Sequence, residues 1–395
     1  VISAAEALSL VLRHAHPLAS EETAVRHAAG RVLAEDVTAD RDHPPFDRSV
    51  MDGFAVRLSH AGRAVAIRGE ARPGHAPTAV PDDDACVEIM TGSPCPPGTQ
   101  AVVMKEEVRT EAGFASFPEV IALGQNIVPR GSERLLGDVV LPSGAVLSPI
   151  ALALLAAVGR TKVCTRRLPS IALLRTGDEL AVDDRAPGDG EIRDSNGPML
   201  EAMARGLGIT LLTSRVVKDT PEALALALDA SHQADVVVLT GGVSAGNYDL
   251  VPGALLAHGA NIVFHKVSQQ PGKPILFATL DARLAFGLPG TPLGCHLGFH
   301  RYVSQAVRAM AGLSPAPEET GTMSASWSTR SERQQFVLAR VTQRSGAWSV
   351  TPRAARGSSD LFTPWDANAY LNVPEGTRAL RLGQEVRFEW LHDAG

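Results

Sequence analysis

The sequence predicts a multidomain α/β and β protein, and three stretches carry that expectation. Residues 169–313 alternate short apolar, β-branched runs with helical patterns, the pattern of a parallel-rich sheet with helices on both faces. Residues 43–124 are rich in Val, Pro and Gly and hold short alternating runs, as in a small β-rich module. Residues 321–391 read as strands separated by turn residues, which predicts a small β-barrel or sandwich. A length of 395 residues accommodates two to four such domains.

Taken in order, the chain opens on Ala4, Ala5, Leu8, Val11 and Leu12 at helical spacing, broken by Arg13. This is an amphipathic helix rather than a signal sequence. His14 and His16 lie two residues apart, on different sides of a helix, and read as solvated or capping residues. Residues 1–42 continue as extended chain. The module at 43–124 has strands at Ala64–Ile67 and Ala101–Met104. Residues 125–168 hold a strand at Val139–Leu141 and a helix led by Pro149, a favoured first helical residue. Its apolar run, Ile150 to Val158, is too short to span a bilayer and reads as a buried helix. Segment 125–168 is expected to pack on residues 1–42 as one helical and extended domain, which makes 43–124 an insertion. Within 169–313, strands fall at Ile171–Leu174, Thr210–Val217, Asp235–Leu239, Asn261–Val267, 275–279 and 284–286. Helices fall at 197–207, 221–232, 250–258 and 292–312. Ser314-Pro-Ala-Pro317 is a linker, and residues 314–395 form the last domain.

Composition excludes some classes. The net charge is −6 with the signs mixed along the chain, which favours neither nucleic acid nor an anionic membrane as partner. The four cysteines are irregularly spaced and form no C-x-x-C, which argues against a disulfide framework or a zinc site and fits a reducing cytoplasm. The chain begins at Val1 rather than Met, so a few N-terminal residues are expected to be missing.

Thr240–Asp249 is the most informative turn. It joins a buried strand to a helix, and its glycines Gly241, Gly242 and Gly246 expose backbone N–H groups suited to a phosphate or another oxyanion. Gly241 and Gly246 have the G-x-x-x-x-G spacing, but Asn247 and Tyr248 stand where a nucleotide-triphosphate loop has Lys and Ser/Thr. The turn therefore either binds a different anion, with Ser244 and Asp249 alongside, or needs glycine only for its backbone angles. Ligands on such sheets bind beyond the carboxyl ends of the strands, where Gly177-Asp-Glu179 and Gly287–Pro292, with Pro289 and Gly290, also fall. Asp194 and Ser195 either cap the helix that follows or, for Asp194, join Asp178, Glu179 and Asp249 as carboxylates for a hard cation such as Mg²⁺. Gly272 and Lys273 lie in Pro271-Gly-Lys-Pro274, where two prolines fix the direction of the lysine toward an anion or simply stiffen a turn. Asp47 and Asp52 read as Asx-turn carboxylates on local grounds. Thr91 and Ser93, on a loop stiffened by proline, are hydroxyl donors if a phosphate lies near.

Together these motifs resemble one family, the molybdopterin molybdenumtransferases, which are bacterial MoeA-type proteins related to the gephyrin E domain. The resemblance runs through nearly the whole chain, in Pro45–Arg57, Thr91-Gly-Ser-Pro94, Arg130-Gly-Ser-Glu133, Thr176–Leu180, Asp194-Ser-Asn196, Thr240–Asp249, Pro271–Pro274 and Gly287–Pro292. It implies an elongated homodimer of four-domain subunits, with 1–42 plus 125–168 as the dimerisation domain and 169–313 as a MogA-like molybdopterin-binding domain. It implies the Mg²⁺-dependent insertion of molybdenum from molybdate into adenylylated molybdopterin, with release of AMP. A molybdopterin adenylyltransferase and molybdoenzyme acceptors are the implied protein partners. By motif, Asp52 and Thr91 would come from the β module of one subunit. Glu179, Asp219, Asp249 and Lys273 would come from the α/β domain of the other, and Arg333 and Ser358 from the last domain. Three positions depart from the family pattern. Gln270 replaces the first lysine of Lys-Pro-Gly-Lys-Pro, Glu133 stands in for an aspartate, and Leu338 replaces the arginine of Arg-x-x-Phe-x-Arg. The loss of charge at Gln270 leaves open a tungstate-preferring paralogue or a non-catalytic carrier or scaffold.

Overall fold

The computed structural model describes residues 1–181, 186–243, 250–344 and 346–391, and the chain divides into two compact units, residues 22–165 and residues 1–21 with 166–395. Helix α1 (Ala4–His14) begins the larger unit, with Ser3 accepting the Glu6 N–H as its cap. Ala4, Ala7 and Val11, on one face of α1, are fully buried in the core of the α/β domain. The expected pairing of the first helix with segment 125–168 is therefore corrected, because its apolar stripe is covered by the α/β core. His14 is corrected too: it is half-buried, its Nδ1 bonds the Leu10 carbonyl, and its ring stands edge-on to Phe277 at 5.8 Å.

The smaller unit contains a six-stranded sheet built from β1 (Gly53–Val56), β2 (Ala64–Ala71), β3 (Ala85–Ile89), β4 (Ala101–Met104), β5 (Arg109–Glu111) and β6 (Phe114–Ser116), in the order β4-β1-β3-β2-β6-β5. A Cβ on Gly53 would lie 2.0 Å from the Val103 carbonyl oxygen, so only glycine permits the close approach of β1 to β4. Helix α2 (Pro149–Ala157) starts as expected, with Pro149 in its first turn and the Ser148 hydroxyl accepting the Ala151 N–H. It is not buried all round. Ala151 and Leu155 face a core with Leu33 and Val163, while Ile150 is 82% exposed.

The α/β domain alternates β7 (Ser170–Thr176), α3 (Asn196–Gly206), β8 (Thr210–Val217), α4 (Pro221–Ala230), β9 (Val236–Thr240), α5 (Val251–Ala257) and β10 (Asn261–His265). A two-residue strand β11 (Gln269–Gln270) follows, and then β12 (Leu276–Leu280) and β13 (Arg283–Leu288). The sheet order is β8-β7-β9-β13-β12-β10, parallel except that β12 runs antiparallel to both neighbours. The sheet is thus mixed at one side, because only two residues join β12 to β13 and no crossover helix fits there. Period-two alternation splits its core. Ile171, Leu173, Val236, Val238 and Phe286 face one apolar layer, while Ala172, Leu174, Val237, Leu239 and Ala285 face the other. The parallel register of β7 and β9 is pinned below the sheet by Asp235. Its carboxylate takes a bidentate pair from Arg167 at 2.7 and 2.8 Å and the Ser170 N–H at 2.7 Å.

The expected long last helix comes as α6 (Pro292–Gly298) and α7 (Ser304–Met310), joined through a π-helical turn at Phe299–Val303. The final domain closes into a barrel of β14 (Glu319–Met323), β15 (Gln334–Arg344), β16 (Ala347–Pro352), β17 (Ala369–Val373) and β18 (Glu385–Trp390), ordered β15-β16-β14-β18-β17 with β17 pairing back to β15. Leu338 of β15 is buried in an apolar cluster with Phe336 and Tyr370, an environment suited to leucine rather than arginine.

Candidate active site

Three parallel strands end at one edge of the sheet, and the loops after β7, β9 and β13 gather there. Gly241 donates its N–H to the Leu288 carbonyl at 3.1 Å, which ties the start of the β9 turn to the end of β13. Gly241 adopts φ +85°, and a Cβ there would meet the Thr176 carbonyl oxygen at 2.4 Å. Gly242, at φ +56°, accepts the Val251 N–H at 3.2 Å and so leads the chain into α5. Gly290 lies 3.5 Å, measured from an added Cβ, from the Gly241 Cα. Pro289 is buried beneath it. The hydroxyl oxygen of Thr176 and the amide oxygen of Asn196 are buried there without hydrogen-bond partners among the described residues. Asn196 uses its Nδ2 to hold the Gly290 carbonyl at 2.8 Å. The expected positions Ser244, Gly246 and Asp249 lie outside the described residues.

At the ends of β7 and β8, Asp178 accepts the Asp219 N–H at 3.3 Å, and the Asp219 Oδ1 is buried without a hydrogen-bond partner among the described residues. Glu179 is exposed, and a Cβ on Gly177 would come within 2.7 Å of its carboxylate oxygens. Glycine at 177 thus leaves room for that carboxylate to fold back along the loop. Asp194 is corrected as a metal group. One oxygen lies 2.6 Å from the Arg175 guanidinium and the other accepts the Gly197 N–H at 2.9 Å, so the carboxylate serves the start of α3. Among the described residues, no three His, Cys, Asp or Glu side chains converge to hold a metal by themselves.

Lys273 reaches the same edge from the other side. Leu276 of β12 pairs with Gly287 of β13, so the segment before β12 lies level with the carboxyl end of β13. The Lys273 carbonyl accepts the Val267 N–H at 2.8 Å, and its side chain is exposed. Arg333 approaches this segment from the barrel. β11 pairs with β15 through Gln269 and Gln334, and the Arg333 Nη1 donates to the Gln269 carbonyl at 3.3 Å. Ser358 accepts the Leu293 N–H at 2.9 Å through its backbone carbonyl, which anchors its loop on α6. Asp360 beside it is held to about 2 by the N–H of Arg356, with Thr363 hydroxyl and backbone bonds adding to that. The Arg333 side chain thus meets the segment that leads into Pro271–Pro274 at Gln269, and the Ser358 backbone meets the start of α6.

In the smaller unit, the Thr91 N–H and hydroxyl both donate to the Asp52 Oδ1, at 2.7 and 2.8 Å. These bonds, backbone first, and Lys105 at 3.7 Å keep the Asp52 carboxyl below its ordinary value. Ser93 is corrected as a ligand donor: it is fully buried and bonds the Ala71 carbonyl at 3.0 Å. Asp47 accepts the Arg130 N–H at 2.8 Å, and Glu133 pairs with Arg48 at 3.4 Å, so the Asp47 and Glu133 motifs brace one another's loops. Sequence reasoning passed over Arg175, Gln269 and Tyr302. Arg175 carried a signal, a charged residue ending an apolar strand. Gln269 and Tyr302 carried none.

The first region, residues 2–159, matches the MoeA N-terminal region (domain I and II). Residues 172–309 match a probable molybdopterin binding domain, and residues 320–391 match the MoeA C-terminal region (domain IV). The molybdopterin molybdenumtransferase of Staphylococcus aureus strain MSSA476 is 32% identical over 391 residues, covering 96% of this chain and 93% of that protein. This chain belongs to the molybdopterin molybdenumtransferase family. The Staphylococcus epidermidis family member (strain RP62A) is 32% identical over 402 residues, covering 98% of this chain and 94% of its own. Among solved structures, the molybdopterin biosynthesis MoeA protein of Pyrococcus horikoshii OT3 superposes with a TM-score of 0.83 at 27% identity, covering 99% of this chain and 100% of that one. A molybdenum cofactor biosynthesis protein of Pyrococcus furiosus shares the fold, with a TM-score of 0.60 at 22% identity and 99% of each chain covered.

Proposed function

We propose that the protein inserts molybdenum from molybdate into adenylylated molybdopterin and releases AMP, a Mg²⁺-dependent step of molybdenum cofactor biosynthesis. One observation supports this most strongly. Arg333 of the barrel meets the segment leading to Lys273 at Gln269. Two cations on a stiff frame balance the charge of a tetrahedral dianion such as molybdate, and the fork of arginine suits its oxygens. Gly241, Gly242 and Gly290 leave backbone room for a phosphate-bearing ligand, and Gly177, Pro289 and Ser358 lie on the loops around it.

Mg²⁺ prefers oxygen ligands and is commonly held by one or two carboxylates together with substrate phosphates. The unpartnered, buried Oδ1 of Asp219 beside Asp178 fits that donor set. Asp219, Asp178 and Glu179, with Asp249, would hold the ion. When bound it would polarise the scissile phosphoanhydride and neutralise the leaving AMP. The side chains of the protein then have separate tasks. Lys273 and Arg333 hold the oxyanion, and the Asp52–Thr91 pair orients the substrate.

The reading includes a cytoplasmic homodimer in which Asp52 and Thr91 of one subunit complete the site of the other. The exposed apolar side chains Leu135, Leu136, Val139 and Ile150 supply area for such pairing. A molybdopterin adenylyltransferase upstream and molybdoenzymes downstream are the proposed partners. Gln270, exposed in the Pro271–Pro274 approach where the family motif Lys-Pro-Gly-Lys-Pro expects lysine, favours a second reading in which tungstate is preferred or turnover is lost. The test supplies purified protein with adenylylated molybdopterin, Mg²⁺ and molybdate or tungstate. Stoichiometric AMP release and cofactor formation are expected, and their absence with both oxyanions would sink the transferase reading.

A further inference from the structure

The geometry points to Gln269 and Tyr302 as positioning residues that set the oxyanion-binding cations, an inference that rests on the functional reading above. Gln269 is fully buried where three elements meet. Its Oε1 accepts the Tyr302 hydroxyl at 2.5 Å, its Nε2 donates to the Pro271 carbonyl at 3.2 Å, and its own carbonyl accepts Arg333 at 3.3 Å. The π-helical turn Phe299–Val303, the Pro271–Pro274 loop and the barrel are thereby joined through one side chain and its peptide.

Neither partner is free to take another role. Tyr302 has no exposed surface, its ring stands edge-on to Phe264 at 6.3 Å, and burial pushes its hydroxyl above its ordinary range. The loop is built around the glutamine. Gly272 has φ +83°, and a Cβ there would meet the Gln269 Nε2 at 3.2 Å and Ile275 at 3.2 Å. The base of the loop is already closed by backbone bonds, Lys266 N–H to Ile275 O at 2.9 Å and Val267 N–H to Lys273 O at 2.8 Å. What the side-chain bonds add is the placement of its tip relative to Arg333. A π turn inside a helix presents a residue that regular α-helical spacing would direct elsewhere, and such turns recur at functional sites. Here the residue presented is Tyr302, whose hydroxyl donates to Gln269.

Tyr302→Phe removes one hydroxyl and leaves the apolar packing. The expected result is a rise of about fivefold in KM for molybdate, with kcat and the affinity for adenylylated molybdopterin changed less than about twofold, the size of effect one lost hydrogen bond produces. Gln269→Leu should raise the molybdate KM further, and Gln269→Glu, which still accepts from Tyr302, should fall between Gln269→Leu and the unmodified protein. Thermal unfolding of each variant controls for folding. Unchanged molybdate KM in both Tyr302→Phe and Gln269→Leu, in protein that turns over normally, would overturn this inference alone. An equal loss of molybdate and pterin affinity would also overturn it, because the role would then be structural. If the unmodified protein releases AMP without saturating in molybdate, the functional reading falls and this inference falls with it.

Discussion

Gly241→Ala gives the sharpest test of how the sheet edge is built. Gly241 sits at φ +85°, where an L-residue is strained by about 1–2 kcal/mol. Its new Cβ would also lie 2.4 Å from the Thr176 carbonyl oxygen and 3.0 Å from its hydroxyl. Ordinary contact needs about 1 Å more, so β7 or the turn must move, and overpacking of this kind costs about 1–3 kcal/mol. The expected destabilisation is about 2–5 kcal/mol. Gly290→Ala supplies the control, because its Cβ would meet nothing closer than the Gly241 Cα at 3.5 Å and its φ is not positive. That change should stay within about 0.5 kcal/mol. Hydrogen exchange of the β9 amides, read by mass spectrometry, measures the local stability directly. A loss below about 1 kcal/mol for Gly241→Ala, or equal losses for the two variants, would refute the claim that close approach to Thr176 requires glycine.

Four further outcomes follow from the same structure. Lys273→Ala should raise the molybdate requirement at least tenfold by order of magnitude while leaving pterin-nucleotide binding nearly unchanged, and equal loss of both in binding and turnover assays would remove its assigned role. Asp219→Asn should raise the Mg²⁺ concentration needed for half-maximal AMP release several-fold, as should Asp249→Asn; an unchanged Mg²⁺ titration would take either residue out of the ion's surroundings. Burial alone would raise the Glu389 carboxyl, but hydrogen bonds from His300 and the charge of Arg301 hold it at about 2, against an ordinary 4.5. Its stabilising contribution is therefore complete above pH 4.5 and lost as pH falls toward 2, and Glu389→Ala, which leaves the buried Arg301 unpaired, should cost about 3–5 kcal/mol in thermal or denaturant unfolding. Asp52 should titrate below its ordinary 3.8 in a carboxylate-resolved NMR titration, so the ionised carboxylate and its bonds from Thr91 persist below that pH and weaken only as pH falls through the lowered value, whereas a midpoint at or above 3.8 would contradict the Thr91 geometry.

Much of the α/β domain was legible because its signals are local. β8 was bounded as found at Thr210–Val217, since a β-branched run between a helix and a Pro-led helix start leaves little choice. The helix starts at Pro149 and Pro221 were marked by their own sequence, Ser-Pro and Thr-Pro, where the hydroxyl caps and the proline begins the helix. The destination of α1 was not legible. An amphipathic stripe shows that a helix will be covered, but not by what. The split of Asp47 from Asp52 was also hidden, because both look like turn carboxylates until Asp47 is found bonding Arg130 and Asp52 bonding Thr91. The same holds for Ser93 and Asp194, whose polar atoms are consumed by neighbours distant in sequence or by the start of a helix.

The sequence by itself determined the family, the order of the elements and the positions of the glycine turns, because motif order, hydrophobic period and backbone-permissive residues are properties of neighbours along the chain. Tertiary structure decided which polar groups remain available for a ligand. Among the described residues, Thr176, Asn196 and Asp219 keep unpartnered oxygens at the sheet edge, while Ser93 and Asp194 do not. It also decided that Arg333 meets the Lys273 loop, through a glutamine and a tyrosine 33 residues apart that no spacing rule connects. The reason is physical: a buried hydrogen bond joins whatever the packing brings within reach, and packing depends on the whole chain.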